Sequence, residues 1–124
     1  MRRPLSAMIL AGLFFFVCTS IYVLAREASI FFNGSTTPAA RFESKVEGTI
    51  PYGLSAFSQQ IALRDCDDSL KSQYSRSQTR ERRSTAMKHC RDFALTLTKD
   101  SPANGLAWFI AAQASAWLKD YSDM

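Results

Sequence analysis

The sequence contains few of the residues that catalytic and metal sites use. Its 124 residues include one histidine, His89, and five glycines, and neither a Gly-x-Ser-x-Gly motif nor a phosphate-binding glycine loop occurs. His89 and Cys90 are adjacent, and neighbouring helical residues diverge by about 100° around the axis. They therefore cannot face one substrate together. We expect an exposed histidine, no enzyme activity and no cofactor.

Metal ligands are equally sparse. Cys66, His89 and Cys90 match none of the usual zinc spacings. Asp65 and its neighbours Asp67 and Asp68 lack the glycine and the further oxygen ligands of a calcium loop. We expect no metal site, and we expect these aspartates to cap a helix or to be solvated.

Charge is missing from residues 5–25, which read LSAMILAGLFFFVCTSIYVLA. About 20 apolar residues are enough to cross a bilayer as a helix. Arg2 and Arg3 precede the stretch and favour a cytoplasmic N-terminal segment, residues 1–4. Two interpretations stay open: a retained anchor in the inner membrane, and a signal peptide cleaved after Ala25. The length of the stretch favours the anchor.

Both interpretations place residues 26–124 outside the cytoplasm, in the periplasm if the source is bacterial. In an oxidising compartment Cys66 and Cys90 are candidates for a disulfide. Such a bond closes a loop of about 25 residues and contributes on the order of 3 kcal/mol. The alternative is a pair of buried thiols. Cys18 lies in the apolar stretch, where we expect it to face lipid or to fill space.

Residues 26–53 show no apolar helical stripe, and the sequence predicts a flexible linker there. Ile30, Phe31 and Phe32 either extend the membrane helix or rest in the headgroup layer. Turn signals follow at Asn33-Gly34, Thr37-Pro38 and Pro51-Tyr52-Gly53.

Helical periodicity dominates residues 54–124 and predicts an all-α fold, an antiparallel bundle of about three helices. The first helix, over residues 54–74, carries two nearly opposite apolar stripes, so it is either packed on both sides or broken near Arg64 and Asp65. The second and third are expected over residues 84–99 and from Asn104 onwards. The two stripes are Leu54, Phe57 and Ile61, and Leu63, Cys66, Leu70 and Tyr74.

Residues 71–91 hold seven Lys or Arg residues against one Glu. The segment is either a solvated turn between helices or a contact for anionic envelope surfaces. Nucleic acid is not expected as a partner, because the domain is exported and only Tyr74 supplies an aromatic ring. The candidate anion contacts are Arg76, Arg80, Arg82, Arg83, Lys88 and Arg91.

The C-terminal part of the chain contains Pro102, Asn104, Ala107-Trp108, Ala111-Ala112 and Lys119-Asp120-Tyr121-Ser122-Asp123. In this order the residues resemble the start of a tetratricopeptide repeat. Residues 84–97 are similar to the second helix of a preceding repeat, although a generic alanine-rich hairpin would share these features. Ala111, Ser115 and Lys119 depart from the repeat's preferred Leu, Tyr and Gly.

The resemblance implies tetratricopeptide-like packing and a protein-binding role, since such repeats offer grooves rather than chemistry. The expected interaction surface is Trp108, Ile110, Trp117 and Tyr121. Because Met124 falls where the second repeat helix would open, we expect a partner, the helix over residues 54–74 or a longer chain to cover the Ala/Trp face.

The resulting hypothesis is a membrane-tethered periplasmic adaptor in an envelope assembly such as polysaccharide export, secretion or wall synthesis. One alternative is a small structural or regulatory subunit that acts through its anchor helix. Another is a binder of anionic surfaces through residues 71–91.

Overall fold

The structure is a computed structural model that describes residues 3–33 and 37–122. Within these ranges all regular secondary structure is helical, which confirms the predicted all-α class. Six helices follow one another along the described chain. They are α1 (Arg3–Asn33), α2 (Pro38–Glu47), α3 (Ala56–Lys71), α4 (Gln73–Ser77), α5 (Arg80–Asp100) and α6 (Gly105–Ser122).

Helix α1 contains the uncharged stretch. Of the residues that the structure describes, one segment, Pro4–Phe32, forms a helix long and apolar enough to cross a membrane. A signal sequence near an N-terminus has the same length and composition. Ile30, Phe31 and Phe32 belong to this helix and so continue it beyond the uncharged stretch.

Helix α2 lies within the predicted linker, so the prediction of a flexible linker was wrong for residues 38–47. Thr37 caps the helix by accepting a hydrogen bond from the Ala40 amide at 3.3 Å, and Pro38 occupies the first turn. Gly48 ends it with φ +79°, a left-handed conformation that favours glycine. Phe42 is fully buried and meets the Tyr74 ring edge-on, with centroids 5.8 Å apart. Helix α2 is therefore stabilised by one buried aromatic ring and by a cap at each end, and not by an apolar stripe.

Helix α3 is continuous from Ala56 to Lys71, so the break considered near Arg64 and Asp65 does not occur. Ser72 follows it in an extended conformation and caps the short helix α4. One predicted stripe, which includes Leu63, Cys66 and Leu70, is buried in the core. The opposite stripe is not covered by the domain, since Leu54 and Phe57 are both exposed.

Helices α5 and α6 pack side by side and run in opposite directions. The C-terminal half of α5 shares a cluster with the N-terminal half of α6, and the N-terminal half of α5 shares a second cluster with the C-terminal half of α6. Helix α5 begins at Arg80, four residues before the expected start, because Thr79 caps it. Asn104 caps α6 by accepting from the Ala107 amide at 3.1 Å. The cluster at the C-terminal half of α5 also includes Leu63 of α3 and consists of Leu63, Ala94, Leu97, Ala107, Ile110 and Ala111.

Candidate functional site

A disulfide between Cys66 and Cys90 joins α3 to α5, as the sequence predicted. Their Cα atoms lie 5.9 Å apart, and both side chains are fully buried in the cluster that also contains Phe42 and Leu70. Cys18 is exposed on α1 and unpaired. The bond therefore cross-links α3 and α5 through the core of the domain.

His89 is half-buried, so the expectation of an exposed histidine was wrong. Its Nδ1 lies 2.7 Å from the Lys45 carbonyl oxygen, and because a carbonyl only accepts, Nδ1 donates. Gly48 packs on the imidazole ring, since an added Cβ would lie 3.3 Å from it. His89 thus fixes the C-terminal end of α2 on α5, a structural role that needs no ligand.

Two of the three acidic residues of α3, Asp65 and Asp67, make ion pairs instead of capping a helix, and Asp68 is exposed to solvent, which is the other expected outcome. Asp65 bonds to the Lys45 ammonium group, whose side chain is 1% exposed, and lies 3.5 Å from the Arg41 guanidinium group. Asp67 pairs with Lys71 one turn later, at 2.7 Å. The contacts of Asp65 hold α2 against α3.

The six basic candidates do not form one surface. Arg82 bonds to Glu43 of α2, and Arg91 pairs with its neighbour Asp92 at 2.9 Å. Arg76 lies on α4 and is exposed. Arg82 therefore holds α5 against α2, a role that the sequence pattern does not distinguish from that of a solvated charge.

An open groove of about 630 Å³ lies between α5 and α6 and is lined by basic side chains from both helices. Arg80, Lys88 and Arg91 line it from α5, and Lys119 lines it from α6. Glu81 is the acidic residue in its lining. Lys119 could have been assigned to the groove from the predicted antiparallel pairing of the last two helices, because that pairing places the end of α6 beside the start of α5.

The predicted interaction residues of α6 do not share a face. Ile110 is buried and Trp117 is half-buried against the core, whereas Trp108 is 52% exposed and donates its indole N–H to the Pro102 carbonyl at 2.9 Å. The side chain of Tyr121 lies outside the described residues. Phe109, which the sequence analysis did not select, is 57% exposed.

The alanine side of the Ala/Trp face of α6 is covered by α5 and by α3, and the helix over residues 54–74 was one of the three expected covers. Ala107, Ala111 and Ala114 are each at most 4% exposed. Their small side chains let α5 and α3 approach closely. The exposed face of α6 is the opposite one, which begins with Trp108 and Phe109 and continues through Ala112 and Ala116.

A polar junction joins α1 to the start of α3. One carboxylate oxygen of Glu27 accepts hydrogen bonds from the Leu54 amide at 2.6 Å and the Ser55 amide at 2.9 Å. The other accepts from the Ser55 hydroxyl at 2.8 Å. The first amides of a helix have no partners within it and carry partial positive charge, which favours a carboxylate there.

Gly53 makes this contact possible. A Cβ atom at this position would overlap the Glu27 carboxylate and the Ser58 hydroxyl. Ser58 also donates to Glu27 at 3.3 Å, so the carboxylate is held from several sides. Sequence reasoning missed the junction because Glu27 and Ser55 lie far apart in the chain and form no local motif.

Four exposed apolar side chains surround this junction, and we refer to them as the apolar rim. The rings of Phe31 and Phe57 lie 6.5 Å apart and so join the end of α1 to the first turn of α3. Ile30 beside them is buried, at 4% exposure. The members of the rim are 57% to 76% exposed: Phe31, Phe32, Leu54 and Phe57.

Over residues 3–33 and 37–122, no group of three or more His, Cys, Asp or Glu residues could hold a metal ion. Comparison with known proteins gives no match to a family model, a curated protein or a solved structure.

Proposed function

We propose that this protein is a single-pass, membrane-tethered helical interaction module whose domain lies outside the cytoplasm. The observation that carries the proposal is the continuity of α1, which runs unbroken from the uncharged stretch into Glu27 and its bonds with α3. The buried Cys66–Cys90 disulfide supports an oxidising compartment. Arg2 and Arg3 support a cytoplasmic N-terminus in the inner membrane.

The junction favours a retained anchor over a cleaved signal peptide. Cleavage after Ala25 would leave residues 26–33 as the only part of α1 that presents Glu27 and Ile30 to the domain. Isolated helices shorter than about 12 residues are marginal in water. The contacts that α1 makes with α3 therefore depend on the preceding membrane helix for their stability.

The interaction role rests on the α5–α6 pair and on the exposed face of α6. The pair agrees in its antiparallel packing with the tetratricopeptide-like reading of residues 84–124, and such units bind other helices. Trp108 and Phe109 are large exposed aromatic side chains of the kind that anchor protein interfaces. Ala112 and Ala116 leave room for a partner helix to approach closely. The proposed occupant is an apolar helix of an envelope protein, and the module acts as a non-catalytic adaptor.

The anchor is tested by the size and location of the full-length chain. We expect an uncleaved protein that stays in the membrane pellet after alkaline extraction. A shorter mature protein in the soluble fraction would show a signal peptide instead. A variant with Leu13→Lys and Phe14→Lys provides the control, because two charges in the apolar stretch should release the chain from the membrane.

The adaptor role is tested by photo-crosslinking from single positions in native membranes, followed by mass spectrometry. We expect a discrete partner captured from Phe109 and not from Thr96, an exposed α5 residue that serves as the matched control. Trp108→Ala should weaken that capture. Capture only from Phe14 within α1 would instead show a subunit that acts through its anchor helix.

A second candidate function, binding of an anionic surface, is favoured by the groove between α5 and α6. Four basic side chains converge there although only three of them come from the predicted basic segment. We expect salt-sensitive binding to acidic glycan that falls when Lys88 and Lys119 are both changed to Gln. Lys99→Gln is the control, since Lys99 is exposed and does not line the groove. Equal binding by both variants would exclude the groove.

A further inference from the structure

The apolar rim lies at the point where α1 would leave a membrane. Glu27 follows the last residue of the uncharged stretch, Ala25, by two positions, which is about 3 Å along a helix. Glu27 is bonded to the first residues of α3. Leu54 and Phe57 are therefore held at the same level as the membrane end of α1.

One of the two chain segments that form the rim carries no charge. Residues 48–63, between Glu47 and Arg64, contain no Asp, Glu, Lys or Arg. The carboxylate that does lie at the junction, that of Glu27, is turned onto the amides and hydroxyl of Ser55 and its neighbours. A face that points to water is usually polar, so a charge-free segment with exposed Phe and Leu side chains indicates a different environment.

Interfacial features accompany the rim on α1. Arg26 donates a hydrogen bond to the Tyr22 hydroxyl at 3.2 Å, and its guanidinium carbon lies 6.0 Å from the centre of the Tyr22 ring. Tyrosine and arginine with a polar tip and an apolar body are typical of the level of lipid headgroups. Such a pair is expected at the boundary of the hydrocarbon layer, and Arg26 directly precedes Glu27 of the junction.

From these observations we infer that the apolar rim, Phe31, Phe32, Leu54 and Phe57, inserts into the outer lipid interface beside α1. The inference rests on the proposed membrane anchor and deepens it. The domain is then not suspended on a flexible tether. It is seated on the bilayer in one orientation, with the Glu27 contact fixing α3 against the anchor and the rim occupying the headgroup and upper acyl region.

Lipid is the occupant that the geometry favours, because the rim is continuous with the membrane helix. Phe31 and Phe32 belong to α1 itself, and Phe57 reaches them across the junction. A protein partner at this place would have to enter the same headgroup layer. A second copy of the chain is the competing occupant, and the test below distinguishes it.

The test measures the depth of spin labels on the full-length chain in phosphatidylcholine–phosphatidylglycerol vesicles. Cys18 is first changed to Ala, since it is the cysteine outside the disulfide. Single cysteines for labelling replace Leu54 or Phe57 in the rim, Phe14 in α1 as the membrane reference, and Gln73, an exposed residue of α4, as the water reference. Relative collision rates with oxygen and with a water-soluble nickel complex report the depth.

Labels at positions 54 and 57 should be more accessible to oxygen than to the nickel complex, with depth values shifted from the Gln73 reference towards the Phe14 reference. Rim labels that match Gln73 while Phe14 remains at membrane depth would overturn the inference and leave the anchor intact. Rim labels shielded from both reagents, with spin–spin broadening, would show a second copy instead. If Phe14 also reports water, the anchor and the rim proposal both fail.

Discussion

The carboxylate of Glu27, near the end of α1, accepts hydrogen bonds from both the amide and the hydroxyl of Ser55, the residue that caps α3, at 2.9 and 2.8 Å. Ser55 in turn accepts from the Ser58 amide at 3.1 Å. One side chain of the apolar helix thus completes the N-terminal cap of a domain helix. The orientation of α1 and the start of α3 are fixed by the same group.

We expect Glu27→Ala to release α1 from α3 while the core of the domain remains folded. The amides of Leu54 and Ser55 lose their acceptor, so their hydrogen exchange should become faster, whereas exchange around Cys90 should not change. The measurement is hydrogen exchange by mass spectrometry on the full chain in lipid nanodiscs. Arg26→Ala is the matched control, because Arg26 contacts Tyr22 within α1. Equal protection in both variants would show that the junction does not depend on the carboxylate.

We expect Gly53→Ala to have the same effect on the junction without removing any polar group. The new methyl group would overlap the Glu27 carboxylate and the Ser58 hydroxyl, so the carboxylate must leave the α3 amides. Gly105→Ala is the control, since a Cβ at that position meets nothing within 4 Å and alanine favours a helix by up to about 1 kcal/mol over glycine. Faster exchange at Ser55 only in the Gly53 variant is the expected result. Slowed or unchanged exchange there would contradict the close approach.

The parts of the fold that the sequence predicted are those encoded by local patterns. The uncharged stretch predicted α1, and helical periodicity over residues 84–99 predicted most of α5. Helix α2 was missed because its stability depends on the contact of Phe42 with Tyr74, far away in the chain. Periodicity alone cannot show such a contact.

The candidate site was predicted less well, for a related reason. Apolar periodicity predicted the stripe of Leu54 and Phe57, but it does not show whether protein, water or lipid covers that stripe. The inference that lipid covers it rests on the contact of Glu27 with Leu54 and Ser55, and no sequence motif encodes that pairing. The basic segment shows the same limit, because Arg82 pairs with Glu43 of a helix that periodicity did not reveal.

The disulfide between Cys66 and Cys90 should contribute on the order of 3 kcal/mol to the free energy of unfolding, because it closes a loop of intermediate length. We therefore expect Cys66→Ser combined with Cys90→Ser to lower the unfolding midpoint strongly in detergent micelles, measured by circular dichroism. A reducing agent should have a similar effect on the wild type. Cys18→Ser is the control and should behave as the wild type under both conditions. A midpoint that does not change on reduction would contradict a structural role for the bond.

Substituting Asp65 and substituting Lys45 should lower the free energy of unfolding by different amounts, although the two residues form one ion pair. Lys45 is 1% exposed, whereas the Asp65 side chain is 26% exposed. Asp65→Ala would leave a buried ammonium group without its carboxylate, and removing one partner of a buried ion pair typically destabilises by about 3 kcal/mol. Lys45→Met keeps most of the buried volume, and Asp65 keeps Arg41 and solvent, so we expect a loss of about 1 kcal/mol.

Chemical denaturation of the full chain in micelles measures both effects, with Asp68→Ala as the control because Asp68 is exposed on the same helix. The expected order of destabilisation is Asp65→Ala, then Lys45→Met, then Asp68→Ala with a change near zero. The order follows from desolvation, since the ammonium group has no access to water and the carboxylate does. A larger loss for Lys45→Met than for Asp65→Ala would mean that the lysine stem, and not the ion pair, stabilises the contact between α2 and α3.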